Sequence, residues 1–492
     1  MVTVAEHIDY KGLYEDLQVK YEALQLELNN LKRMIFGSKH ERFVPTANSP
    51  AQTTLDLPVE QVATCSVIDA KKITYTRTTT EVAQKNEHTG RMKLPDHLPR
   101  RELVIEPEED VSGLKKIGAE ITEELEYEPG TFYVNKIVRN KYVRPGNKGV
   151  AIAPMMERPL PKAIAGAGLL AHIIIDKYVD HLPLYRQLER FKREGINIPY
   201  GTITDWISNT CALITPLYDL LKKLILQSNY LHVDESPIKV LDKDKKGSSH
   251  RGFYWVYQNS ILKIVLFDYR QGRGREGPEE MLKDFKGHLQ TDGYPLYDFF
   301  KQQPGITVLN CMAHARRMFF DAKENDAARA EYALEMIGKL YDIERKAKTE
   351  ALDHTDVLEL RQKEAIAILE VFEKWMKEQY VKVPPKSAIA KAIGYCLGRW
   401  NELKRYTTDG KLNIDNNPVE NSIRPVAVGR KNYLFAGSHE AAQRSAMLYS
   451  LLGTCKLHGI NPFLWLVDVL KRLPSYKVNK IEELLPYKWQ PA

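Results

Sequence analysis

Cysteine is scarce in this chain: five occur in 492 residues, Cys65, Cys211, Cys311, Cys396 and Cys455. No two lie close together and the number is odd, which excludes a disulfide framework and leaves no CxxC pair for a structural zinc site. Long apolar runs are also missing. The most apolar stretch, Ala163 to Ile175, is too short to span a bilayer and leads into Asp176 and Lys177. The opening residues, MVTVAEHIDYKGLYEDL, are acidic and carry no apolar signal core. Neither sign of charge dominates: the net charge of +7 permits a nucleic-acid partner without demanding one. The expectation is a cytoplasmic protein in a reducing compartment, with no membrane domain.

The composition, 43% hydrophobic and 27% charged, is that of a globular protein. The length exceeds what one core of about 250 to 300 residues holds, so several domains are expected. Leu17, Leu24 and Leu31 recur every seventh residue, interleaved with Tyr14, Tyr21, Leu28 and Ile35. This seam predicts a coiled coil over residues 8–40 and hence a homodimer or higher oligomer. A surface helix packed on its own domain is the competing reading. Residues 41–95, with VPTANSPAQTTLDLPVEQVA, read as a linker. Residues 96–155 contain alternating runs such as TFYVNKIVRNKYV and read as a small strand-rich module. Residues 156–226 read as helical. LPLYRQLERFKREG sets Leu184, Leu188 and Phe191 on one face, Gly195 ends it, and a second helix begins near Tyr200, Gly201 and Thr202. That is helix-turn-helix spacing, with Arg186, Arg190, Lys192 and Thr202 as candidate DNA contacts. A plain helical hairpin fits the same pattern.

From residue 227 the texture changes. YLHVDESPIKVL, GFYWVYQ and ILKIVLFDYR are three strand-like runs. A helix, GPEEMLKDFK, follows, then strands in HLQTDGYPLYDFF and ITVLNCMAHA. Three strands, a helix and further strands is the order of an RNase H-like core. Residues 227–324 are its first part and 408–452 its second. Residues 325–407 form an all-α insertion, in which Leu334, Ile337 and Tyr341, then Ile368, Phe372, Trp375 and Met376, then Ile389, Ile393, Leu397 and Trp400, mark three apolar faces. Residues 453–492 form a C-terminal region. The expected class is a multidomain α/β protein.

Three acids stand out. Asp234 lies among strand formers, where aspartate is disfavoured. Alternation sends Asp234 and Glu235 to opposite faces, so only one can face a site. Asp292 ends a strand before Gly293, where a turn role competes with a ligand role. Glu420 starts a helix. With Asn417 as N-cap and Pro418 at the first position it would make a capping box, and it would pair with Arg424 one turn on. Carboxylates at the ends of neighbouring strands and on a following helix can hold two Mg2+ or Mn2+ ions about 3.5 to 4 Å apart, as phosphoryl transfer requires. Basic residues crowd the same segments: Arg270, Arg273 and Arg275; His314, Arg316 and Arg317; Arg424, Arg430 and Lys431. They are candidates for a DNA groove, against the reading of a solvated charged face. Pro237, three residues after Asp234, fits a central strand poorly and predicts a bulge or a strand end there.

HVDESPIKVLDKDKKG, LQTDGYPLYD, CMAHARR and IDNNPVENSIRPVAVGRKNYLFAGSHEAAQRSAMLYSLLGTCKLHGINP together resemble the transposases of the insertion-sequence-66 family, over nearly the whole chain. The resemblance implies a DDE-type enzyme whose triad falls on Asp234, Asp292 and Glu420. It implies water attack at the element ends, freeing a 3′-hydroxyl that then attacks target DNA. It implies terminal inverted repeats and target DNA as partners, with accessory proteins of the element. Many members carry cysteine pairs of a zinc module. Here residues 66–210 contain no cysteine, so residues 96–155 are expected to be a degenerate zinc-finger-like module without zinc, held by its own small core. Two other readings stay open: a non-catalytic DNA-binding protein derived from a transposase, and a two-carboxylate hydrolase such as a glycosidase.

Overall fold

The computed structural model describes residues 94–491, apart from 97, 113, 129, 146–148 and 242–247. The expected coiled coil of 8–40, and the linker as far as residue 93, lie outside the described residues. Among those described, no helix is long and apolar enough to cross a membrane.

The chain is mixed α/β. Its first sheet holds β1 (Arg100–Ile105), β2 (Lys115–Glu128), β3 (Thr131–Val143) and β4 (Val150–Ile152). β3 is central: it runs parallel to β1 and antiparallel to β2, and its last three residues pair with β4. Alternation along β3 buries Phe132 and Val134. These side chains do not form a separate small core, as the sequence led us to expect. They join Leu125 in one continuous core with α1 (Ala167–Tyr178), α2 (Leu184–Arg193) and α3 (Tyr200–Leu226). Phe132 meets Phe191 edge-on at 5.1 Å, and the Leu169 N–H donates to Glu126 at 2.9 Å. The physical reason is area: a small sheet with one solvated side buries too little to stand alone.

α2 and α3 are joined by a turn at Gly195, whose φ of 80° suits glycine. α3 does not stand free. Ile203, Trp206, Ile207, Cys211, Ile214, Leu217, Leu221 and Ile225, spaced three and four apart, bury one face along its length.

The second sheet holds β5 (Tyr230–Leu241), β6 (Ser249–Asn259), β7 (Ile264–Arg270), β8 (Gly287–Thr291) and β9 (Ile306–Asn310) in the order β7-β6-β5-β8-β9. β5, β6 and β7 are antiparallel neighbours, and β8 and β9 run parallel to β5. A short helix, α4 (Glu276–Met281), lies between β7 and β8. β5 pairs with β8 only over Tyr230–His232 and beyond that with β6 alone. Pro237 therefore sits within an unbroken strand, correcting the expected bulge: past His232 one side of β5 is an edge, where a missing N–H costs no ladder bond. Arg430 donates to the Pro237 carbonyl, and Ala436 bridges the same edge through Lys239 and Leu241.

Residues 312–414 build a second core from α5 (Met312–Asp321), α6 (Ala327–Thr349), α7 (His354–Leu360), α8 (Ile366–Tyr380), α9 (Ala388–Gly398) and α10 (Trp400–Lys404). Ile337, Phe372, Met376, Ile393 and Trp400 are buried in it, and Tyr230 and Leu309 of the sheet join it. The chain then returns along the sheet as α11 (Asn417–Tyr433), α12 (His439–Leu457) and α13 (Pro462–Arg472). α12 protects the outer strand: Ser450 and Thr454 hydroxyls accept from the Phe267 and Val265 N–H groups, at 2.7 and 3.3 Å.

Candidate functional site

β5 presents the first acid. Glu235 is taken up structurally: it accepts from Arg273 Nε and from the Tyr297 hydroxyl, each at 2.8 Å, and its side chain is 3% exposed. Asp234 accepts the Glu235 N–H at 2.7 Å and, among the described residues, has no cationic partner. Burial pushes its carboxyl well above the usual carboxylate range, and the negative charges of Asp292, Glu235 and Glu420 push it further. Asp234, Asp292 and Glu420 thus lie within electrostatic reach of one another.

Asp292 follows β8. Its Oδ1 accepts the Tyr294 N–H at 2.7 Å, so the turn role is real. Gly293 has φ 86°, and a Cβ there would lie 2.6 Å from the Tyr395 hydroxyl. The inserted helices hold this turn: Tyr395 on α9 donates to the Asp292 carbonyl at 2.9 Å, and Arg399 donates to the Gly293 carbonyl at 3.1 and 3.0 Å.

Glu420 is the fourth residue of α11, whose N-cap is Asn416, and no side chain caps that helix. The expected capping box and the pair with Arg424 do not form. Glu420 Oε1 is buried without a hydrogen-bond partner, and its ion-pair neighbour is His314 Nδ1 at 3.8 Å. Asn416 is diverted to another task. Its Nδ2 donates to the Val233 carbonyl at 3.0 Å, and its Oδ1 pairs with His232 Nδ1 at 3.0 Å. Asn413 Nδ2 donates to the other ring nitrogen at 3.1 Å, so the proton of His232 sits on Nδ1. Burial holds this imidazole neutral, its pKa lowered to about 4. One asparagine therefore ties the strand of Asp234 to the helix of Glu420. Asp415 steadies the same turn by accepting from the Tyr341 hydroxyl at 3.0 Å and from Asn417 Nδ2 at 2.7 Å.

The basic residues divide. Arg270 pairs with Asp268 and Glu280, Arg273 with Glu235, and Arg275 with Glu279. Arg430 is spent on Pro237. Arg424 and Lys431 are exposed on α11. Arg316 and Arg317 line a groove with Phe320, Tyr341, Arg345 and Asn417, next to the start of α11. Arg186, Arg190 and Lys192 lie on α2. Arg190 is bound to Asp176 at 2.9 Å, Arg186 leans on Tyr185, and Lys192 is exposed. Thr202, at the start of α3, lines a shallow groove with Pro161, Asp205 and Asn209.

Sequence reasoning missed His232, Asn413, Asn416, Tyr395 and Arg399. A histidine inside an apolar strand and an asparagine pair before a proline were the available signals, but neither says which partner it meets. The carboxylates fit a hard divalent ion: all donors are oxygen, one is an orphaned buried atom, and their mutual repulsion needs a positive charge.

Comparison with known proteins gives the class to which this sheet and its helical block belong, that of the transposases. Residues 162–444 match the family described as Transposase IS66 family, residues 450–487 the IS66 C-terminal element, and residues 23–103 the Transposase C of IS166 homeodomain. Similar proteins include the uncharacterized proteins y4hP and y4jD of Sinorhizobium fredii. Both are 30% identical, over 96% of this chain and 89% of y4hP and over 95% of this chain and 94% of y4jD. Another from that organism, y4qI, is 34% identical over 80% of this chain and 76% of its own length. The chain belongs to the IS66 transposase family.

Proposed function

We propose that the chain is a DNA transposase with an RNase H-like catalytic core, which cleaves DNA at the ends of an insertion sequence and joins those ends to target DNA. Asp234, Asp292 and Glu420 would hold two Mg2+ or Mn2+ ions. The observation that carries the reading is the convergence of three carboxylates, from mid-β5, the end of β8 and the start of α11, with Asp234 driven up first by burial and then by the charges of the other acids. The strand order β7-β6-β5-β8-β9, antiparallel then parallel, supports the fold. When bound, the ions supply positive charge to the attacking and leaving oxygens of phosphoryl transfer. The chain's own residues do the rest. Asn416 and His232 set α11 against β5. Tyr395 and Arg399 hold the turn of Asp292. Arg273 and Tyr297 occupy Glu235, leaving Asp234 alone to face the site. Arg316 and Arg317 offer a phosphate-binding groove beside the acids, in which Arg345 is already paired with Asp342, and Arg424 and Lys431 lie on the adjoining helix.

The match of residues 23–103 to a homeodomain description and the paired helices α2 and α3 support recognition of the element ends by the N-terminal half. The 8–40 heptads support a homo-oligomer, and family membership supports accessory proteins of the element.

The test is cleavage of a supercoiled plasmid bearing the element ends, with magnesium. Asp234→Asn, Asp292→Asn and Glu420→Gln should each abolish cleavage while DNA binding persists. Glu420→Gln should melt no lower than wild type in metal-free buffer, because Glu420 makes no cap bond and its charge repels its neighbours. Near wild-type cleavage by any of the three variants would break the proposed triad.

A further inference from the structure

Three donor atoms of different chemistry converge beside the acids. Cys311 is the N-cap residue of α5, and His314 lies three residues on, so the first turn sets both side chains on one face. Cys311 Sγ, a ring nitrogen of His314 and a carboxylate oxygen of Glu420 lie within 4.8 Å of one another. His314 Nδ1 and Glu420 Oε1 are both buried and both lack a hydrogen-bond partner. Their separation of 3.8 Å is too long for a hydrogen bond and leaves room for an ion to bridge them. Buried polar atoms are ordinarily satisfied, so two orphans facing each other mark a missing partner. The sulfur is fixed in place as well: it receives the Asn416 N–H at 3.2 Å and the His314 N–H, while burial pushes its thiol up to about 12, so a bound ion must displace the proton.

We propose that Cys311, His314 and Glu420 form a site for one divalent transition ion of the zinc class. Zinc takes thiolate, imidazole and carboxylate together, whereas magnesium takes oxygen donors and retains water. The site is separate from the zinc module of residues 96–155 that the missing cysteines argue against. Three protein ligands leave a fourth position of a tetrahedral ion for water or a phosphate oxygen. Only the shared use of Glu420 rests on the catalytic proposal; ligation by Cys311 and His314 does not.

The probe is Co2+, titrated into the metal-free full-length chain. Ligation by sulfur produces an ultraviolet charge-transfer band, and tetrahedral geometry an intense visible spectrum. The charge-transfer band should saturate at one equivalent, and Zn2+ should abolish it. The charge-transfer band should vanish in Cys311→Ser and persist in Cys65→Ser, Asp234→Asn and Asp292→Asn. His314→Gln, at a partly exposed position, is the second measurement should Cys311→Ser fold poorly, and it should weaken Co2+ binding about tenfold or more. A wild-type protein without the band, a band unchanged in Cys311→Ser, or undiminished affinity in His314→Gln would each overturn the site. A wild-type protein that cleaves plasmid but shows no band refutes this proposal alone. Absent cleavage with the band intact refutes the catalytic reading alone.

Discussion

Replacing Asn416 with alanine tests the link between strand and helix. Asn416, His232 and Val233 are all fully buried. Alanine would remove the donor to the Val233 carbonyl and the acceptor of the His232 Nδ1–H, leaving two buried groups unmet. Each such group costs about 1 to 3 kcal/mol, so the variant should lose about 2 to 6 kcal/mol. That is a large share of the roughly 5 to 15 kcal/mol that holds a typical domain together. Asn417→Ala is the control. Its Nδ2 bonds Asp415 at 2.7 Å in a partly exposed setting, and losing one such bond should cost about 0.5 to 1.5 kcal/mol. Urea denaturation followed by tryptophan fluorescence reads both, as a shift in midpoint at constant slope. Cleavage should fall further in Asn416→Ala than stability alone accounts for, because Glu420 is no longer registered against Asp234. A loss below about 1 kcal/mol, or equal losses in the two variants, would refute the reasoning, since two orphaned groups must cost more than one exposed bond.

Two further outcomes follow from the same structure. His232 titrates near 4 when folded against an ordinary value of 6.5, so the unfolded chain takes up its proton first as pH falls. Its contribution to stability is intact above 6.5 and declines by about 3 kcal/mol in all as pH drops through 4. His232→Gln should flatten the dependence of denaturation midpoint on pH over that window, and parallel curves for wild type and variant would exclude the effect. Arg316→Ala combined with Arg317→Ala should weaken DNA binding evenly across sequences and lower the slope of log affinity against log salt by about 1 per residue. Arg190→Ala should change that slope less, because Asp176 already neutralises it; an unchanged slope in the double variant would remove the groove from the DNA path.

The sequence by itself determined the local elements and the chemistry they carry. Alternation at the start of TFYVNKIVRNKYV marks β3, and the apolar faces through Ile337, Phe372 and Ile393 mark the helical block, because such periodicities follow from backbone geometry within a few residues. Asp234 was legible as unusual because strands disfavour aspartate, and the motif around Glu420 was specific enough to point to the family. Tertiary structure alone decided what those residues meet. Arg273 and Tyr297 take Glu235 and leave Asp234. The one-sided pairing of β5 beyond His232 makes room for Pro237. Asn416 gives up its capping role because a buried imidazole 184 positions away in sequence needs its oxygen. Cys311 and Glu420, harmless apart, become neighbours at one orphaned histidine. Such choices are settled by which buried polar groups find partners once the chain has closed, and local periodicity carries no record of contacts made across so many residues.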